Sequence, residues 1–208
     1  MRWNRFYEDL VEGLRFVWRR TGLKNFLILV GFVNFFAMPL LVLMPFLVQQ
    51  NLGRGAEWFG ILLAAFSAGS VVGYLVAGTI RMSPGNRARL LVAILVMAGG
   101  AIVALSWITR PELALLLMLV TGVGLGIFNI NVMTLFQMAA GRHLRGRVMG
   151  LVLAIASAAS PFGMALGGLA ADLSGHNIQA ILTVCGGGII LVVLAMGLRR
   201  PVLEFLAS

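Results

Sequence analysis

The residues of this 208-residue sequence that could do chemistry are a few carboxamides and prolines set in apolar runs. Asn129, Asn131 and Gln137 share one run, and Asn34 shares another with Pro39 and Pro45. A carboxamide carries donors and an acceptor but titrates nowhere near neutral pH, so what it offers is hydrogen bonding. In an apolar helix that means either holding a neighbouring helix or lining a cavity. Asn129 and Asn131 are two apart, which turns them about 200° from each other on a helix, so they cannot both face one surface. Both readings stay open for each. Pro39 and Pro45 lack an N–H and crowd the carbonyl four residues back, so the run should bend and leave the Phe35 and Leu41 carbonyls partly free. A bent helix suits a moving wall, although membrane helices carry proline more often than soluble ones do.

Other chemistries lack residues to carry them. The acids are Glu8, Asp9, Glu12, Glu57, Glu112, Asp172 and Glu204, all in terminal segments or at the ends of apolar runs. None is placed for catalysis or a proton relay in mid-span. His143 and His176 are far apart and form no ligand-spaced cluster with Cys185, the one cysteine, so neither a metal site nor an intramolecular disulfide is expected. No phosphate-cradling glycine loop is present. The expectation is a protein that is not an enzyme and carries no cofactor.

The elements that must position the carboxamides are membrane spans. Hydrophobic residues make up 60% of the chain and charged residues 11%, against about 45–50% and 25% in soluble domains. The net charge of +9 could point to nucleic acid, but the positive residues lie in short clusters between apolar runs. Six spans are predicted, at about Leu23 to Gln50, Trp58 to Ile80, Leu90 to Ile108, Leu113 to Ala140, Val148 to Ala171 and Ile178 to Leu198. About 20 apolar residues cross a hydrocarbon core, and the linkers are short enough to make neighbours antiparallel. Residues 1–22 alternate charges with Trp3, Phe6, Leu10, Leu14, Val17 and Trp18 at helical spacing, which predicts an amphipathic helix on the membrane surface or on a partner domain. Residues 23–198 then form the membrane domain and 199–208 a cytoplasmic tail.

Orientation follows from lysine and arginine. With a cytoplasmic amino terminus, 14 of the 16 basic residues fall on the inner side, leaving only Arg54 and Arg110 outside. This predicts a multi-pass protein of the plasma (inner) membrane with both termini in the cytoplasm. In the second span Gly69 and Gly73 form a small-x-x-x-small pair that permits close backbone approach, near Ser67 and Tyr74. The fifth span repeats small residues around Ser157 and Pro161, with Gly163 and Gly167 as a further pair. The third span has few distinguishing residues and is expected to face lipid. The sixth is expected to be peripheral.

The run Leu144-Arg145-Gly146-Arg147-Val148-Met149, followed by Pro161-Phe162-Gly163 and Gly167-Gly168-Leu169-Ala170-Ala171-Asp172, closely resembles the tenth-to-eleventh helix region of the major facilitator superfamily. The closest look is to its drug and macrolide exporters. Asp9 to Phe16 also resembles the linker before the seventh helix of that fold. The resemblance covers essentially the whole chain. It implies an all-α membrane protein with six transmembrane helices, half of a major facilitator fold, preceded by an amphipathic interfacial helix. One departure stands in the loop after the second span: Gly78, Gly85 and Arg87 fit the family's pattern, but Met82 occupies the place of its acid.

The resemblance implies alternating access around a cavity near the bilayer midplane, faced by the first, second, fourth and fifth helices. The cavity candidates are then Asn34, Phe35, Ser67, Tyr74, Asn129, Asn131 and Ser157. Gly78, Gly85, Arg87, Arg145, Gly146, Arg147 and Pro161 are candidates for gating or loop roles. The expected activity is efflux of a hydrophobic or amphipathic small molecule. Partners would be the lipid bilayer, the small-molecule substrate and a second six-helix half, from another chain or a second copy, with no nucleic acid. A non-transporting interaction subunit and an inactive transporter fragment are the alternatives.

Overall fold

The computed structural model describes residues 15, 17–79, 83–139, 145–175 and 177–207. Among them the ordered elements are all helical: α1 (Thr21–Gln50), α2 (Glu57–Thr79), α3 (Pro84–Trp107), α4 (Pro111–Ala139), α5 (Arg145–Ala158), α6 (Ser160–Leu173), α7 (Ile178–Val192) and α8 (Arg200–Ala207). A π-helical turn, Val193–Gly197, prolongs α7. Among the described residues, five helices are long and apolar enough to cross a membrane: α1, α2, α3, α4 and α7 with its π turn. The span expected over Val148 to Ala171 is instead two 14-residue helices, α5 and α6, meeting at Ala159. The cause is legible in the chain. Pro161 near the start of α6 has no N–H to give the Ser157 carbonyl, so one rung of the helix ladder is missing there. Of the amphipathic helix expected over 1–22, only Arg15 and Val17–Thr21 with Gly22 lie within the described residues, and Val17 is fully buried.

Helix ends follow local rules. Pro84 opens α3 and Pro111 opens α4, at first-turn positions where no N–H is needed. The Asn177 side chain caps α7 by accepting the Ala180 N–H at 3.1 Å, as an N-cap should. After α1 the chain turns through Gly53, whose φ of 59° is costly for a residue with a Cβ.

The helices pack in three close pairs. α2 lies against α4, α3 against α7, and α1 against α6. Bare glycine makes each approach possible. A Cβ on Gly69 or Gly73 would strike the Leu119 or Val123 carbonyl of α4, and one on Gly122 or Gly126 would strike the Phe66 or Ser70 carbonyl of α2. On α6, a Cβ at Gly163 would strike the Phe35 carbonyl of α1 and one at Gly167 would meet Pro39. The Phe35 carbonyl is the one Pro39 leaves without its helical donor, and the Gly163 backbone covers it. Gly99 of α3 and Gly186 of α7 face each other's carbonyls. The pairing is crossed: α2 finds its main partner in α4 and α6 finds its own in α1, while α3 meets α7.

One expectation changes. α3, expected to face lipid, is the most buried of the candidate spans, with 56% of its most apolar window inside the protein. Its Gly99 lets α7 approach closely at Gly186, and Ile94 and Met97 pack against Gly124 of α4, which an unremarkable aliphatic sequence conceals.

Both ends of the bundle are tied. At one end α8 docks by burying Val202 and Leu206, and Arg87 Nε donates to the Leu206 carbonyl at 3.2 Å. Phe205 of α8 joins Phe26 of α1 and Phe136 of α4, with ring centroids 5.5 and 5.9 Å away. The segment read as a tail is therefore a packed helix. At the other end the Asn51 carboxamide donates to the Ser106 carbonyl at 2.8 Å, tying the end of α1 to that of α3.

Candidate functional site

A cavity of about 440 Å³ opens between α1 and the α2/α4 pair, with α3 along its side. It exists because α1 and α2 barely touch, each being drawn to a partner elsewhere. Its wall is apolar: Met38 and Leu41 from α1, Phe66 from α2, Ile102 from α3 and Met118 from α4 are representative. The polar lining residues are Asn34, Thr121 and Asn129, and no ionisable side chain is among the lining residues described.

Local structure fixes how much hydrogen bonding remains. Asn34 donates one carboxamide N–H to the Val30 carbonyl at 2.9 Å, and Asn129 donates one to the Leu125 carbonyl at 2.9 Å. Each bond reaches one turn back on the residue's own helix, so it anchors the side chain without joining helices. The second N–H and the amide oxygen stay available. Thr121 gives its hydroxyl proton to the Leu117 carbonyl at 2.7 Å, which leaves it an acceptor. Asn131 also bonds back, to the Ile127 carbonyl at 2.9 Å, and does not line this cavity. Neither Asn129 nor Asn131 bridges to another helix.

Of the other candidates, Phe35 lines a second hollow of about 340 Å³ between α1, α6 and α7, with Pro39, Gly163 and Cys185. Ser67, Tyr74 and Ser157 are exposed and line neither cavity. Gly78, Gly85, Gly146 and Pro161 are exposed as well, and Arg87 is engaged with α8. The side chains of Arg145 and Arg147 lie outside the described residues, as do Met82 and the turn 140–144. Sequence reasoning missed Thr121 and the α3 residues. Thr121 is a polar residue within a span and could have been found, whereas Ile102 or Leu105 looks like any core aliphatic.

A family model described as "Transmembrane secretion effector" matches residues 1–207. The chain belongs to that family. This transmembrane secretion effector chain, a member of the major facilitator superfamily, is 32% identical over 168 residues to the multidrug efflux pump Tap of Mycolicibacterium fortuitum, covering 80% of the chain and 40% of the pump. It is 28% identical over 183 residues to the pumps of the same name in Mycobacterium bovis and Mycobacterium tuberculosis, covering 86% of the chain and 43% of each. The chain thus spans about two fifths of the length of these relatives. No solved structure matches it. Its apolar helices make it a multi-pass membrane protein.

Proposed function

We propose that this chain forms one wall of a secondary transporter that exports a hydrophobic or amphipathic small molecule by alternating access against a second six-helix half. The observation that carries this reading is the uncharged cavity of about 440 Å³ between α1 and the α2/α4 pair, within the range of about 300–1,000 Å³ usual for small-molecule sites. Kinship to multidrug efflux pumps supports the direction of transport. In this reading α5 and α6, 14 residues each, make a sixth crossing together, since about 28 residues of helix reach roughly 42 Å. The arginine-rich turns then lie in the cytoplasm with both termini, in the plasma (inner) membrane.

Asn34 and Asn129 are the substrate-facing residues, with Phe35, Ser67, Tyr74, Asn131 and Ser157 available to a path completed by the second half. Gly78, Gly85, Arg145, Gly146, Arg147 and Pro161 shape the inner turns and the α5/α6 break. No described acid lies in mid-span, so any residue that couples transport to a proton gradient belongs to the other half. The test is dye retention in cells stripped of their own exporters. Co-expressing the chain with a partner half should lower retention of a lipophilic fluorescent dye, and Asn34→Leu with Asn129→Leu should restore it. Unchanged retention on co-expression would refute the reading.

A further inference from the structure

We infer that the cavity between α1 and the α2/α4 pair takes an uncharged amphipath: an apolar molecule carrying a neutral group that both gives and takes hydrogen bonds, such as a primary or secondary amide or a hydroxyl, held by the Asn34 and Asn129 carboxamides. This rests on the transporter reading and narrows its substrate class. Charge is the deciding quantity. Among the described residues lining the cavity none is ionisable, so an ion held against this wall would give up its hydration with no counter-charge there to meet. The Phe66 and Phe128 rings on the wall could attract a cation, but such an attraction returns only a fraction of that loss. An anion would find no positive partner among the described lining residues.

The polar inventory fits a neutral group. Asn34 and Asn129 each spend one N–H on their own helix, which leaves one donor and an acceptor on each side chain. Pro45 adds a further acceptor, because it has no N–H for the carbonyl of Leu41, itself a lining residue. Donors and acceptors in this mixture match groups that both give and take hydrogen bonds. The rest of the wall includes Met38, Met44 and Met118, unbranched side chains that adapt to irregular apolar shapes. The site should therefore discriminate sharply by charge and loosely by shape.

The experiment is a competition assay on the detergent-purified protein, using the uncharged dye Nile red as the probe. A neutral N-aryl amide should displace it, and a trimethylammonium analogue of the same size should displace it at least about tenfold less well. Asn34→Leu and Asn129→Leu, each checked for monodisperse elution, should weaken the amide roughly fivefold, the effect of losing one hydrogen bond. Equal displacement by the two analogues overturns the inference, as does full affinity of the amide for both variants. The two readings fail separately. Export of the quaternary compound, lost in both variants, would keep the transporter and remove the neutral class. Charge-selective binding with no export by the co-expressed halves would do the reverse.

Discussion

Thr183 holds more of the α3/α7 seam together than its size implies. Its hydroxyl lies 3.0 Å from that of Ser106, accepts the Trp107 indole N–H at 3.2 Å and donates to the Gln179 carbonyl at 2.8 Å. Ser106 is fully buried. Thr183→Val keeps the shape and removes the oxygen, so it should lower stability in detergent by about 1 kcal/mol, near the upper range for one interhelical bond in a membrane protein, read from thermal unfolding. Leu at the same position would confound that test with added volume. At this scale the sequence was only partly legible. The carboxamides were visible as costly residues, but three of them, Asn34, Asn129 and Asn131, settle one N–H on their own helices. Which of them also faces a cavity depends on which side of α1 or α4 a partner covers, and no local pattern states that. Ser106 and Thr183 stood near span ends, where a hydroxyl needs no explanation, so their meeting stayed hidden.

Helix pairs give the sharpest contrasts among substitutions. Gly122 faces the Phe66 carbonyl, whereas a Cβ on Gly100 would meet nothing within 4 Å. Gly122→Ala must therefore push α2 from α4 and should cost about 1–3 kcal/mol. Gly100→Ala should instead gain up to about 1 kcal/mol from helix propensity. Thermal unfolding of the two variants side by side checks both signs. Pro161→Ala should restore the rung to the Ser157 carbonyl and slow amide hydrogen exchange across 157–161, because a continuous helix opens less readily than a broken one. Span positions were readable because apolar runs bounded by charge admit few alternatives, and Gly69 with Gly73 announced a close approach. Their counterparts Gly122 and Gly126 were lost in a glycine-rich run. Pro161, the cause of the break at Ala159, stood in plain sight, but membrane helices often carry proline without being divided by it, and α8 was obscured by its short length. The central place of α3 needed the pairing itself, since small residues alone do not say how many neighbours they admit.

For the whole molecule, the distribution of charge gives a topological prediction. Arg89 and Arg200 lie toward the end of the bundle where α8 docks, while Arg54 follows the opposite end of α1. In a Cys185→Ser background, Arg89→Cys and Arg200→Cys should react with a membrane-impermeant maleimide only in inverted vesicles, and Arg54→Cys only in intact cells. Labelling of all three from one side would contradict the orientation proposed above. The crossed pairing has a second result, which concerns synthesis. Helices α1, α2 and α3 touch one another sparsely, and the main partner of each lies later in the chain. As the ribosome delivers them, the first three helices have almost nothing to hold each other with, and native contacts of long sequence separation must wait for the remainder. A nascent chain stopped after Trp107 should be cleared by membrane proteases within minutes in a pulse-chase, while the 208-residue chain persists; assembly is thus postponed until α4, α6 and α7 arrive.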